Sequence, residues 1–195
     1  MWVLVAALSL LVLVLYRHFG MAALGTLEGV QRDGLSVGEE AQEISGLDAF
    51  GERFVWTPGT ATFLMFAASG CQPCAEVLPS VSRLAEGARD LELAVFAVVA
   101  GARESASHLQ EKYGLRFPVV AEDGSQVFEG YRVRVTPFAF VIGEDGRVRA
   151  KGLCNNPARL HDLLAAGGLE TAASVVAPEL TPDGVGLVAV GGGAT

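Results

Sequence analysis

Residues 60–74 read TATFLMFAASGCQPC, and this stretch decides the fold. From Thr60 to Ala68 the run is apolar almost without a break. Its length and its lack of polar alternation predict a strand buried on both faces. Ser69-Gly70 ends the strand, and Cys71-Gln72-Pro73-Cys74 follows at once. Beyond it Cys74, Val77, Leu78, Val81, Leu84, Ala85 and Ala88 recur at helical spacing, which predicts a helix with one apolar face that Pro79 should kink. Two cysteines so close in sequence form a disulfide only where the backbone brings them together, and a strand-to-helix junction does that. The first sulfur then falls at the helix N-terminus, where unpaired N–H groups and the macrodipole favour a thiolate. The second lies one turn in and is more buried. Cys71 is therefore expected to attack and Cys74 to resolve.

Outward from the motif, Leu91–Ala100 reads as a second buried strand and Ala102–Tyr113 as a helix with Gly114 at its C-cap. Phe117–Ala121 is a short strand, and Val127–Tyr131 a helical turn. Pro137 opens a strand over Phe138–Ile142. Gly143-Glu144-Asp145-Gly146 is a hairpin connection, and Arg147–Lys151 returns antiparallel. Asn156 caps a last helix with Pro157 at its first position, Leu160, Leu163 and Leu164 on its inner face, and Gly167-Gly168 at its end. This order predicts an α/β domain over residues 44–168 with a mixed, mostly parallel sheet covered by helices. Residues 20–43 show no period and read as a tether. Residues 169–195, rich in Ala, Val, Gly and Pro, read as a disordered tail.

Met1 to Tyr16 holds one polar residue, Ser9, and then meets Arg17 and His18. No basic residue precedes Trp2, which argues against a cleaved leader, so residues 1–19 are expected to be a transmembrane anchor. Trp2 suits the membrane interface. The positive-inside rule, applied to Arg17, His18 and Arg32, would place the domain in the cytoplasm. Disulfide chemistry places it in an oxidising compartment. The second argument is preferred, because two arginines and a histidine are a small bias. The expectation is a single-pass inner-membrane protein with its domain in the periplasm.

The chain has a net charge of −8 and no basic run, which excludes nucleic-acid partners of the usual kind. Its three cysteines are too few for a disulfide framework. A zinc site is disfavoured, since His18, His108 and His161 stand alone and Cys154 has no near partner in sequence. No metal and no cofactor beyond the Cys71–Cys74 dithiol is expected. Val135-Thr136-Pro137 carries a second signal. A proline opening a strand beside a cysteine pair is expected to be cis, which leaves the Thr136 backbone free to pair with an extended substrate. An ordinary trans proline is the alternative. Gln72 and Pro73 complete the expected substrate surface with Thr136 and Pro137. Cys154 reads as a small half-buried hydrophobe, with a third redox thiol as the sharper alternative. His108 and His161 read as solvated helix residues, and Trp56 as core or packing near the site.

Over roughly residues 46–167 these features resemble the thioredoxin superfamily: the CQPC motif, Pro79 in the first helix, Val135-Thr136-Pro137 and the closing hairpin and helix. The resemblance implies a three-layer thioredoxin-like fold. The anchor and the extra βα unit resemble its TlpA-like branch. Within that branch VTPFAF at 135–140, then Arg149 to Leu153 and Asn155-Asn156, are most similar to the MauD family of methylamine utilisation proteins. That family is implicated in forming disulfides of the methylamine dehydrogenase light subunit in the periplasm. The departures matter as well. Gly70 stands where thioredoxins have Trp, and Met65 where they have a buried Asp that accepts the resolving thiol's proton. No His lies between the cysteines. Ala68 stands where a peroxiredoxin-type peroxidase would have Thr. The resemblance thus implies a membrane-tethered thiol–disulfide oxidoreductase with a dedicated protein client and a membrane redox partner that the sequence does not name. The alternatives are a reductant in cytochrome c maturation and a non-catalytic tethered assembly chaperone.

Overall fold

The computed structural model describes residues 33–176, so the expected anchor, residues 20–32 of the tether and residues 177–195 of the tail lie outside it. The strands are β1 (Ile44–Asp48), β2 (Arg53–Trp56), β3 (Thr62–Ala68), β4 (Ala94–Ala100), β5 (Val119–Glu122), β6 (Phe138–Ile142) and β7 (Val148–Leu153). The helices are α1 (Gln72–Ala88), α2 (Arg103–Tyr113), α3 (Gln126–Gly130), α4 (Pro157–Ala166) and α5 (Glu170–Val176), with a short 3-10 turn at Arg89–Leu91. That turn shortens the expected second strand, which starts at Ala94.

The strands form one sheet in the order β2-β1-β5-β4-β3-β6-β7. β3–β4 and β4–β5 run parallel, while β1–β2, β1–β5, β3–β6 and β6–β7 run antiparallel. The sheet is mixed, but it is not mostly parallel as the sequence predicts. The antiparallel β6–β7 edge already balances the two parallel pairings, and the hairpin β1–β2, added antiparallel to the β5 edge, tips the sheet to mostly antiparallel. β3 is central, and six of its residues from Thr62 to Ala67 are buried, which is why it carries no polar alternation.

The two faces of β3 serve two cores. Phe63, Met65 and Ala67 pack with the apolar faces of α1, α2, α4 and α5. Leu64 and Phe66 look the other way, into an aromatic cluster with Phe96, Tyr131, Phe138 and Phe140. Phe66 sits at its centre, with ring centroids of Phe128, Tyr131 and Phe140 at 4.9, 5.3 and 5.8 Å. Burying one such ring contributes about 1.5–3 kcal/mol, so this cluster anchors the loop that leads into Thr136. Among the described residues no long helix covers this face. A strap of residues 33–42 and the short α3 do so instead.

Two segments differ from the sequence reading. The last residues of the expected tether are packed: Asp33, Leu35 and Ala41 are buried, and Glu40 bridges Arg147. The first residues of the expected disordered tail form α5, with Ala172, Ala173 and Val176 buried against α1 and α4. Leu169, Ala172, Ala173 and Val176 share one helical face, and that face supplies the free energy of ordering. The local signals hold elsewhere. Gly114 caps α2 in the left-handed conformation at φ +58°. The Asn156 side chain accepts from the Arg159 N–H at 2.9 Å with Pro157 opening α4. Gly146 closes the β6–β7 hairpin.

Candidate active site

The topology brings the chemistry to one end of the sheet. β3, β4 and β5 are parallel, so their C-terminal ends coincide, and the chain leaves β3 at Ala68 directly into the cysteine motif. β6 is antiparallel to β3, with Phe138 opposite Phe66, so the start of β6 and the Thr136–Pro137 bond lie at that same end. β7 ends there too, because Leu153 faces Phe138, and Cys154 follows it.

Cys71 is the N-cap of α1 and is half-buried. Cys74 lies one turn in and is fully buried. Their sulfurs form a disulfide, with the Cα atoms 5.2 Å apart. The Cys74 N–H points at the Cys71 sulfur at 3.2 Å. That contact is one of the free donors at a helix start, and with the macrodipole it stabilises a thiolate on Cys71. Gln72 and Pro73 are exposed beside it, and Gly70, at φ +75°, makes the turn out of β3. Pro79 sits inside α1, exposed, so the backbone bond it lacks falls on the wet side of the helix.

Thr136–Pro137 is cis, as the sequence reading expected. Among the described residues no backbone hydrogen bond joins Val135 or Thr136 to another element, whereas the Pro137 carbonyl accepts from the Cys154 N–H at 3.1 Å. Val135 is exposed and Thr136 half-exposed. A short edge with free backbone groups thus lies at the same end as the disulfide. Such an edge can pair with a peptide.

Cys154 is a free thiol with no exposed surface, and it shares the packed core that holds Cys74, Met65 and Ala139. Burial pushes the Cys154 thiol up to about 12. These are the properties of a small buried hydrophobe, the plainer of the two sequence readings. Met65, at the position where the resemblance implies an acid, is fully buried. His108 is exposed on α2, and His161 lies 3.5 Å from Asp162 on α4. Trp56 is core, donating from Nε1 to Thr62 Oγ1 at 3.2 Å, but it sits at the opposite end of β3 from the cysteines. No group of three or more His, Cys, Asp or Glu side chains converges as a metal site among the described residues. None of the helices in that same set is long and apolar enough to cross a membrane.

Sequence reasoning missed the strap. Lys151 Nζ donates to the Asp33 and Gly34 carbonyls at 2.7 and 3.1 Å, and Arg134 pairs with the Asp33 carboxylate. Burial holds the Lys151 ammonium below the usual lysine range, against the attraction of Asp33 and Glu39. The Ser36 N–H holds the Glu39 carboxyl below the usual carboxylate range, with Arg132 adding to it. The one sequence signal was an acidic Asp33-Gly34 start and a basic 132–151 stretch, far apart in the chain.

A thioredoxin-like sheet with a disulfide at the N-terminus of its first long helix defines a thiol–disulfide oxidoreductase. The chain belongs to the AhpC/TSA family, whose model matches residues 37–151. It is 28% identical over 120 residues to the thiol-disulfide oxidoreductase ResA of Bacillus subtilis, covering 60% of this chain and 67% of that protein. Solved structures share the fold. A putative thiol:disulfide interchange protein DsbE from Chlorobium tepidum superposes with a TM-score of 0.62 at 23% identity, covering 71% of this chain and 98% of that one. The thioredoxin domain of a thiol-disulfide oxidoreductase from Bacteroides vulgatus superposes with a TM-score of 0.60 at 20% identity, covering 67% and 96%.

Proposed function

We propose that this oxidoreductase is anchored in the inner membrane by residues 1–19 and acts on the cysteines of an exported protein client at the periplasmic side. The observation that carries the reading is the half-buried Cys71 sulfur at the same end of the sheet as the unpaired Thr136 edge. In the reducing direction, the Cys71 thiolate attacks a client disulfide. A Cys71–client bond forms, the client S–S bond breaks, and the released client sulfur takes a proton. Cys74, as thiolate, then attacks the Cys71 sulfur, closes the Cys71–Cys74 bond and frees the second client thiol. Two electrons pass from the pair to the client. The reverse sequence oxidises a client dithiol. Gln72 and Pro73 form the surface that meets the client beside Cys71, and Thr136 and Pro137 the edge that holds it.

The MauD resemblance supports the light subunit of methylamine dehydrogenase as client. Reduction of thiols in cytochrome c maturation is the second reading, and the ResA and DsbE relatives are what favour it. The Cys71–Cys74 reduction potential separates the two, since a value well below the glutathione poise of roughly −220 to −260 mV excludes an oxidant. A Cys74→Ala variant is expected to hold the client as a mixed disulfide through Cys71, identifiable by mass spectrometry. If nothing is captured and the Cys71→Ala/Cys74→Ala double variant still supports client maturation, the chain is an assembly chaperone. Alkaline phosphatase fused after Thr195 is expected to be active, and an inactive fusion would overturn the periplasmic placement.

A further inference from the structure

The strap is tied, link by link, to the segment that leads into Thr136. The Tyr131 hydroxyl donates to the Gln42 carbonyl at 2.6 Å. The Arg132 carbonyl accepts from the Gly34 N–H at 2.9 Å, while its guanidinium donates to both Glu39 carboxylate oxygens at 3.1 and 2.6 Å. Arg134 Nε donates to Asp33 Oδ1 at 2.6 Å. The anchorage stops there, since Val135 and Thr136, the next two residues, form the free edge. On the other side of the strap Lys151 holds the Asp33 and Gly34 carbonyls, and Leu35 is buried. The fixed partner of the last pair is the acid. The Asp33 side chain is 9% exposed and that of Arg134 is 72% exposed. A buried carboxylate held by a sheet-bound strap therefore grips the loop at the residue immediately before its docking edge.

We propose that Asp33 and Arg134 are positioning residues that aim the Val135–Thr136 edge at protein clients, so that the strap sets the preference for a protein over a small disulfide. This rests on the reading of that edge as the docking site. A small disulfide needs only the Cys71 sulfur, whereas a protein client must also align its backbone, and a misplaced edge costs only the second.

The test uses the reduced full chain with two probes, insulin as a protein disulfide and oxidised glutathione as a small one. Asp33→Asn and Arg134→Gln are each expected to lower kcat/KM on insulin roughly tenfold, chiefly through KM. The double variant should fall no further than the worse single one, and Arg134→Lys should recover part of the loss. The glutathione rate and the Cys71–Cys74 potential should stay within about twofold of the parent, where a merely structural role would move them together with the insulin rate. Equal losses on both probes, or no loss on insulin, overturn the proposal. Val135→Glu, on the edge but outside the ion pair, separates the two readings. If it lowers insulin turnover and Asp33→Asn does not, the docking edge stands and the positioning role falls. If neither lowers it, both fall.

Discussion

Oxidised, the chain has one thiol. Cys71 and Cys74 are joined, which leaves Cys154 as the sole target for an alkylating reagent. Burial pushes its thiol from the ordinary cysteine range up to about 12. At neutral pH that leaves roughly a thousandfold less thiolate than an ordinary cysteine carries. The sulfur also has no exposed surface, so labelling requires the site to open. Treated with N-ethylmaleimide near pH 7.5, the oxidised native chain should label at least about a thousandfold more slowly than the same chain in denaturant. Intact-mass spectrometry over time reads both rates directly. Native labelling within about tenfold of the denatured rate would refute the buried-thiol assignment.

The same burial makes a pH prediction. The folded thiol ionises near 12 and the unfolded one near 9, so the unfolded state loses its proton first as pH rises. The contribution to stability is present in full below pH 9 and is lost between 9 and about 12. Its ceiling is on the order of 4 kcal/mol, from about 1.4 kcal/mol per unit. Cys154→Ala removes it. The stability difference between parent and variant should therefore shrink as pH rises from 9 to 11, by denaturant titration of both. Groups common to the two proteins cancel. Turnover of Cys154→Ala should match the parent. A variant that folds normally but has lost turnover would mark Cys154 as a working redox thiol.

Gly34 sits at φ +76°, and a Cβ there would lie 2.7 Å from the Phe138 ring and 2.8 Å from that of Phe140. Gly34→Ala should cost at least about 1–2 kcal/mol for the left-handed backbone alone, and an unchanged Tm would contradict the placement of the strap. Tyr131→Phe removes the hydroxyl bond to the Gln42 carbonyl and should cost about 1 kcal/mol in denaturant titration, with more rapid amide exchange expected in residues 33–42. Asn156→Ala removes the cap of α4 and should cost about 1 kcal/mol with no effect on glutathione turnover. A loss of turnover there would mean that α4 bears on the site more directly than its cap suggests.

What could be read from the sequence followed from how local each signal is. β3, the motif and the face of α1 are legible because both faces of the strand are apolar and one stripe of the helix is. Gly114 and Asn156 are legible because caps are decided within a turn. The hairpin β1–β2 is not, since Gly46 interrupts its alternation and Leu47 and Val55 are exposed while Ile44 and Trp56 are buried. The strap is hidden for a different reason. Gly34, Ser36 and Gly38 look like a linker, and the partners that order it, Arg132, Arg134 and Lys151, lie about a hundred residues away. In α5 the helical spacing of Leu169, Ala172, Ala173 and Val176 was present, but a composition shared with the following Ala, Val and Gly masked it.

The lining of the resolving thiol links the site to its client. Cys74 shares one apolar core with Met65, Ala139 and Cys154, and the one buried carboxylate among the described residues, Asp33, belongs to the strap over the other face. Among the described residues no buried acid lies in that core to take a proton from Cys74 when a mixed disulfide is resolved. On the proposed mechanism that proton would go to a base that arrives with the client or to water admitted when the site opens. The proposed docking edge would need to be held in one place meanwhile, and the contacts from Tyr131, Arg132 and Arg134 to the strap hold the segment that leads into it. On the proposed reading, Met65 in the core that holds Cys74 and Asp33 beside the loop would bear on the same step from opposite faces of the sheet.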